Sequence, residues 1–235
     1  MSESSSFSIE VVITQIKQII TDPAGFYKNM PKTGGYGEPI IFVLVSTLAG
    51  GIVYAGLSII GLTPGPGIGI GAIIAFPIGG LIGSFVLSAI LFVIWKLMGS
   101  PENFETSYRC VAYSFGLMPV LAVCMVVPYL GTIIRTLWGT WLAIIQSTEV
   151  HGRAKPTATM VFGILAALMV FTGLSAEYAS RQAMEQAEEY LQGSSEAQSN
   201  ALENLEDMSS EDMGKAVGEF MKGLQEASKQ SEEGQ

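Results

Sequence analysis

Charged side chains are scarce in this chain. Only 14% of its 235 residues are Asp, Glu, Lys or Arg, while 49% are hydrophobic, and soluble domains typically carry about 25% charge. The few bases do not form the basic patch that nucleic-acid binding requires. The composition therefore indicates a membrane protein, with the lipid bilayer as a partner and nucleic acid excluded.

Histidine and cysteine are scarcer still, with one histidine and two cysteines. Zinc sites usually take several nitrogen or sulfur ligands, so His151 alone does not predict a metal site. No Gly-x-Ser-x-Gly motif is present, and the glycine-rich run at 65–71 lacks the Lys-Ser/Thr pair of a phosphate loop. We therefore expect no catalytic residue, no metal, no cofactor and no enzymatic activity.

Long apolar runs are what the sequence has in abundance. A membrane-spanning helix needs about 20 predominantly apolar residues, and five segments reach or approach that length: 40–60, 70–97, 111–127, 130–147 and 157–174. The third and fourth are short, and the fourth contains Arg135. If these two form a re-entrant hairpin, the number of spans falls from five to three.

Polar segments flank the apolar runs on both sides. Residues 7–20 have apolar side chains at helical spacing, which predicts an amphipathic helix lying on the membrane surface or packed on the bundle. From 175 onward there are fourteen acids and four bases, indicating a soluble tail that is helical or partly disordered, with helices around 177–192 and 210–228.

These patterns predict an all-α fold. It is a polytopic membrane bundle of about five transmembrane helices, with an interfacial N-terminal helix and an acidic tail. The predicted domains are a cytoplasmic amphipathic segment and loop at 1–37, the transmembrane domain at 38–175 and the acidic tail at 176–235.

The distribution of Lys and Arg predicts the orientation of the spans. Bases near span ends favour the cytoplasmic side, and they occur before the first span, between the second and third, and between the fourth and fifth: Lys17, Lys28, Lys32, Lys96, Arg109, Arg153 and Lys155. The connections at 61–67 and near 128 have no charge. We expect a multi-pass protein of the cell membrane, with a cytoplasmic N-terminus and the tail on the opposite side.

Two motifs resemble those of a known family. GGYGEPIIF opens the first span, and SYRCVAYSFGLMP enters the third. The residues that carry the likeness are Tyr36, Gly37, Glu38 and Pro39, followed by Tyr113, Ser114 and Pro119, with Ala112 where glycine is common. Residues 10–175 resemble the Yip (Ypt-interacting, YIPF) family in its prokaryotic form. The resemblance implies five spans and a cytoplasmic N-terminus.

The vesicle-traffic role of eukaryotic Yip proteins, which is linked to Rab-type GTPases, is not carried over. Those relatives have a long cytoplasmic N-terminal domain, whereas about 38 residues precede the first span here.

Candidate functional residues collect at the predicted cytoplasmic face. We expect Glu38 or Glu105 to pair with Arg109 or Arg153. Glu149 and His151 could serve as metal ligands or a proton relay, but interfacial hydrogen bonds and ion pairs are favoured. The full set of candidate interaction residues is Tyr36, Glu38, Pro39, Glu105, Tyr108, Arg109, Tyr113, Pro119, Arg135, Glu149 and His151.

Two further features leave alternatives open. Arg135 either snorkels to lipid headgroups, which is favoured, or binds a ligand, an ion or a lipid phosphate. Small residues four apart pack the first two spans together or, less favoured, form a dimer face. These pairs are Gly79 with Gly83, Gly80 with Ser84, and Ser46 with Gly50.

The first functional hypothesis is a non-enzymatic scaffold or interaction protein in membrane organisation or trafficking-like processes, with a protein partner at its cytoplasmic loops. The alternative is a small transporter or channel for ions or lipids, formed as a homo-oligomer. Its candidate lining residues are Ser84, Ser88, Thr132, Arg135, Thr136 and Thr140. A membrane-embedded enzyme is the weakest of the three hypotheses.

Overall fold

The fold is helical wherever it is described. The computed structural model describes residues 8–63, 69–207 and, beyond these, 214, 215, 218, 221 and 222. Within those residues every regular element is a helix and no strand occurs, as predicted. The chain divides into two compact units, the first ending at Tyr178 and the second beginning at Ala179.

Two short helices open the first unit. Helix α1 runs over Ile9–Thr21 and α2 over Pro23–Asn29. The Ser8 hydroxyl accepts a hydrogen bond from the Glu10 amide at 3.2 Å, and this satisfies a free donor at the start of α1. Asp22 does the same for Gly25 at 3.0 Å in α2. Both helices contribute side chains to the core.

The other helices follow in chain order. They are α3 (Gly37–Ile59), α4 (Ala72–Leu97), α5 (Phe104–Ser114), α6 (Met118–Cys124), α7 (Leu130–Glu149) and α8 (Lys155–Asp207). A 3₁₀ turn at Gly69–Gly71 leads into α4, and another at Phe115–Leu117 joins α5 to α6. Thus α5 and α6 form one interrupted rod.

Four stretches in the described part of the chain are long and apolar enough to cross a membrane. They are Gly37–Ile59, Gly69–Leu97, Phe104–Cys124 and Lys155–Glu196. Helix α7 is present where the fourth predicted span lies, but it is not one of the four, because threonines, Arg135 and Gln146 dilute its apolar residues.

The third span starts earlier than the sequence predicted. Asn103 accepts a hydrogen bond from the Thr106 amide at 2.9 Å, so the helix begins at Phe104 rather than near 111. The predicted start at 111 was too late, because Thr106, Ser107 and Arg109 are polar in the sequence but buried against neighbouring helices.

Small residues bring three helices close together. A Cβ added at Gly80 would clash with Thr47 of α3, and one at Gly51 would lie 2.6 Å from the Ala72 carbonyl of α4. A Cβ added at Gly50 would lie 3.2 Å from Met118 of α6, which is a close but less severe approach. Close backbone contact of this kind stabilises helix pairs in membranes. By contrast, Gly79 and Gly83 have no neighbour within 4 Å among the described residues.

The turn between α6 and α7 is held by an acid from α8. Tyr129 has a positive φ of 62°, and its amide donates to Glu177 Oε1 at 2.9 Å. The Thr132 hydroxyl donates to Glu177 Oε2 at 2.8 Å. A carboxylate here accepts from a free amide at the start of α7, and its negative charge interacts favourably with the positive end of the helix dipole. Glu177, which the sequence placed in the acidic tail, therefore belongs to the first unit.

The second unit begins without a break in α8. The helix predicted at 177–192 lies within α8, and the one predicted at 210–228 falls mostly outside the described residues. Between 182 and 196 every side chain is exposed, which fits the polar composition of this segment.

Candidate functional site at the polar end of the bundle

Three connections meet at one end of the first unit, here called the polar end: residues 30–36, 98–103 and 150–154. The Lys32 ammonium pairs with Glu102 at 2.7 Å and donates to the Val150 carbonyl at 3.0 Å. Arg153 Nη1 donates to the Met98 carbonyl at 3.1 Å. Two charged side chains thus join connections that are far apart in the chain, by binding a carboxylate and backbone carbonyls of the other connections.

Arg109 is the centre of the polar end. Its side chain is only 1% exposed. It donates through Nε to the Pro31 carbonyl at 2.7 Å, through Nη1 to the Gly35 carbonyl at 2.9 Å and through Nη2 to Glu38 Oε2 at 3.0 Å. Tyr113 Oη lies 3.5 Å from Nη2. A planar guanidinium can satisfy several acceptors in one fixed geometry, and the predicted pairing of Glu38 with Arg109 is confirmed.

The GGYGEP motif lies along one face of α5. The Gly35 amide donates to Glu105 Oε1 at 2.7 Å, and the Tyr36 ring packs against Tyr108 with centroids 5.3 Å apart. Together with Arg109, these α5 residues have the spacing of neighbours on one helical face. This spacing explains why the two motifs that were separate in the sequence form a single site.

A second polar network lies deeper, between α2, α5 and α7. Tyr27 Oη is 3.0 Å from Ser114 Oγ. The Gln146 amide group donates to Ser114 Oγ at 2.8 Å and to the Cys110 carbonyl at 3.2 Å. Because these groups are buried, satisfying them with one another avoids the cost of leaving them unpaired. The network holds α2 among the long helices.

His151 is buried beside this network, with 1% of its surface exposed. Its ring stacks on Trp95 with centroids 3.9 Å apart, and Nδ1 shares a hydrogen bond of 2.7 Å with Ser100 Oγ. Burial lowers the pKa of His151 to about 4, an effect that the negative charge of Glu102 partly opposes. The imidazole is therefore neutral at pH 7 and serves as a packed hydrogen-bonding group.

The structure does not bring Glu149 to His151. Glu149 is exposed, and its carboxylate accepts from the Thr148 hydroxyl at 3.2 Å. Within the described residues, no group of three or more His, Cys, Asp or Glu side chains is arranged to hold a metal ion. The geometry of the polar end therefore gives no support to the metal or relay interpretation of this pair.

The remaining candidate residues have separate positions. Pro39 is buried in the first turn of α3, and Pro119 lies in the first turn of α6, where a missing amide costs no helical hydrogen bond. Arg135 is exposed on α7, six residues after the turn at Tyr129. It is not part of the polar end.

Several residues of the polar end were not singled out by the sequence. Lys32 counted only as a topology signal, and Trp95 was not among the candidate residues. Gln146 and Ser147 offered one usable signal, because they are polar residues in an otherwise apolar helix. No periodic pattern connects Tyr27 with Ser114, since their contact depends on how α2 packs.

The first unit matches a known family. A family model described as the Yip1 domain matches residues 17–176. The chain belongs to the Yip1-domain family. The matched Yip1 region begins inside α1, includes the whole polar end and ends just before Glu177. A search of the curated proteins and a search of the solved structures return no match.

Proposed function

We propose that this Yip1-domain protein is a non-enzymatic membrane scaffold that binds a protein partner at its polar end. The supporting observation is the difference in exposure between Arg109 and its partner Glu38. The guanidinium is buried and engaged by the loop, whereas 52% of the Glu38 side chain remains exposed beside the exposed ring of Tyr36. A rigid segment with exposed acidic and aromatic groups suits recognition, because little conformational entropy is lost on binding.

We further propose five spans, with α7 as the fourth. A helix of 20 residues is about 30 Å long, which matches the bilayer core. Helix α7 starts where Gly131 packs on the Cys124 carbonyl and ends where Val150 meets Lys32 at the polar end. It thus covers the same distance as the α5–α6 rod in the opposite direction.

The bases of the polar end support its assignment to the cytoplasmic side. Lys32, Lys96, Arg153 and Lys155 all lie on or next to its three connections, and cytoplasmic loops are enriched in such residues. With five spans, the acidic segment after 176 then lies across the membrane from the N-terminus.

The hydrogen bonds of the spans favour a scaffold over a transporter. Ser88, Thr136 and Thr140 each donate to a backbone carbonyl of their own helix at 2.6–2.8 Å, and Thr132 donates to Glu177. Hydroxyls engaged in this way are less available to replace the hydration shell of a solute. The transporter or channel remains the second candidate, supported by the exposed Arg135 on α7.

A photocrosslinking experiment tests the scaffold proposal. A photoreactive phenylalanine analogue replaces Tyr36 in the full chain, in native membranes, and Tyr190 of α8, an exposed tyrosine outside the polar end, is the matched control. We expect a discrete protein adduct at 36, absent at 190 and reduced by Arg109→Gln, which frees the loop. Identical adducts at both positions would contradict a site at the polar end.

A flux experiment tests the alternative. Purified protein and Arg135→Ala are placed in lipid vesicles, and the passage of ions and of labelled lipids is compared with empty vesicles. Flux that depends on Arg135 would contradict the scaffold proposal and support the transporter proposal. Flux equal to that of empty vesicles for both proteins would remove the transporter.

A further inference from the structure

Helix α1 has more apolar surface than the bundle covers. Val12 and Ile19 are buried in the core, but Ile9 and Ile13 are 54% and 60% exposed. At 3.6 residues per turn, Ile9 and Ile13 lie beside the buried row, and Gln18 lies on the far side of the helix. The exposed isoleucines therefore form a distinct edge of α1, here called the isoleucine edge.

The contacts of Ile16 show where the middle of α1 lies along the spans. Ile16 lies 3.3 Å from a Cβ placed at Gly116, and the Phe42 ring lies 3.1 Å from the same point. Gly116 is seven residues beyond Arg109, about 10 Å along α5, and Phe42 is four residues beyond Glu38, about 6 Å along α3. The middle of α1, at Ile16, therefore packs about 6–10 Å along the spans from the Arg109–Glu38 pair.

We propose that the isoleucine edge is a lipid-binding surface that contacts the acyl chains of the leaflet at the polar end. An interfacial amphipathic helix buries its apolar face about 5–10 Å into the boundary between headgroups and acyl chains, a depth similar to the distance of Ile16 from the Arg109–Glu38 pair. It differs from a free surface helix because two of its other apolar residues, Val12 and Ile19, are buried and anchor it sideways to the bundle.

Neighbouring side chains support lipid as the occupant. Ile41, the residue before Phe42 on α3, and Leu48, about 10 Å farther along that helix, are also exposed and apolar, so the span near Ile16 presents apolar surface of its own to the membrane. On the opposite side of α1, Thr14 and Gln18 are exposed and suit water or headgroups. Lys17 lies between the two sides, where its aliphatic stem can follow the lipid while the ammonium reaches a phosphate.

The proposal requires that α3 and the α5–α6 rod cross the membrane, but it does not require a protein partner at the polar end. Failure of the crosslinking experiment at Tyr36 would leave it intact, and its own failure would leave the scaffold proposal intact.

Spin labels measure the environment of the isoleucine edge. The full chain in lipid nanodiscs carries Cys124→Ser, and the buried Cys110 is left in place. The same protein without an introduced cysteine is treated with the label as the background control. Single labels are attached through Ile9→Cys or Ile13→Cys, and through Thr14→Cys or Gln18→Cys as matched controls on the same helix. Collision rates are measured with oxygen, which dissolves in lipid, and with a water-soluble nickel chelate.

We expect the oxygen-to-nickel collision ratio to be several-fold higher at 9 and 13 than at 14 and 18. Equal ratios at all four positions would overturn the proposal, because they would place the isoleucine edge in water. Low collision rates with both reagents at 9 and 13, with spin–spin broadening between copies, would also overturn it and assign the edge to a second copy of the chain. All four substitutions are at exposed positions, and two sites on each side guard against a local folding defect.

Discussion

At the scale of single residues, the polar end depends on a few buried polar side chains that each serve several partners. Arg109 binds two backbone carbonyls and one carboxylate, and His151 combines ring stacking with a hydrogen bond. Removing the guanidinium leaves several acceptors unpaired at once, and removing the imidazole loses both the stacking and the hydrogen bond. The expected effects are therefore larger than those of exposed charges.

Arg109→Gln should destabilise the protein by about 2–4 kcal/mol, because charge-assisted hydrogen bonds to two carbonyls and to Glu38 are lost. Glu38→Gln should cost about 1 kcal/mol or less, since its amide oxygen can still accept from Nη2 and the side chain is half-exposed. Thermal unfolding in detergent, followed by tryptophan fluorescence, measures both. Equal losses would contradict a central role for the guanidinium.

His151 predicts a loss of stability in acid. Its pKa is about 4 in the fold and about 6.5 in the unfolded chain. As the pH falls below about 6.5, the unfolded state takes up a proton that the folded state does not, and stability decreases until about pH 4. At pH 5 the loss is about 2 kcal/mol from this group alone.

The variant His151→Phe keeps a ring against Trp95 but cannot be protonated. It should be less stable at pH 7.5, having lost the hydrogen bond to Ser100, yet it should lose about 2 kcal/mol less than the natural protein between pH 7.5 and pH 5. Parallel unfolding curves at both pH values measure this difference. An unchanged pH dependence would show that another group is responsible.

At the scale of elements, the contact between α3 and α4 sorts the glycines of one helix into two classes. Gly80 faces Thr47 with no room for a side chain, whereas Gly79, one position earlier, has open space. Since the two glycines share the same helix and nearly the same depth, they separate packing effects from helix propensity.

Gly80→Val should destabilise the bundle by about 1–3 kcal/mol, because the added methyl groups force α3 and α4 apart. Gly79→Val should be neutral or stabilising by a few tenths of a kcal/mol, since valine is a better helix former than glycine. Thermal unfolding in detergent compares the two. Loss of stability in lipid but not in detergent for Gly79→Val would instead point to a helix contact between copies.

At the scale of the whole molecule, the number of spans decides on which side each end lies. Four described stretches qualify as spans by length and composition. Helix α7 is proposed as an additional span, the fourth in chain order, which brings the number to five. An odd number places the N-terminal helices and the acidic segment on opposite sides, and an even number places them together. The question therefore has a direct experimental answer.

Cysteine labelling in intact cells should distinguish the two sides. In the Cys124→Ser background, Lys28→Cys in α2, just before the polar end, should react with a membrane-impermeant maleimide only after the membrane is opened. Ser194→Cys in α8 should react from outside in intact cells. Both positions are exposed. Labelling of both from the same side would contradict five spans, and a reversed pattern would contradict the orientation.

Much of the polar end could be predicted because its charges have few acceptable partners. Glu38 or Glu105 was expected to pair with Arg109 or Arg153, because these groups collect at one face, and of these pairs Arg109–Glu38 is present. The contributions of Pro31 and Gly35 could not be predicted, because any backbone carbonyl can accept a hydrogen bond. Which carbonyls do so depends on the path of the connection.

The sequence by itself determined that this is an apolar helical protein of the Yip1 domain, because hydrophobic run length and short motifs are local properties. Tertiary structure alone decided that α5 begins at Phe104, that α1 packs deep against Gly116, and that Glu177 holds the start of α7. These features arise from contacts between distant segments. Their free energy depends on which surfaces meet, and no local pattern encodes that.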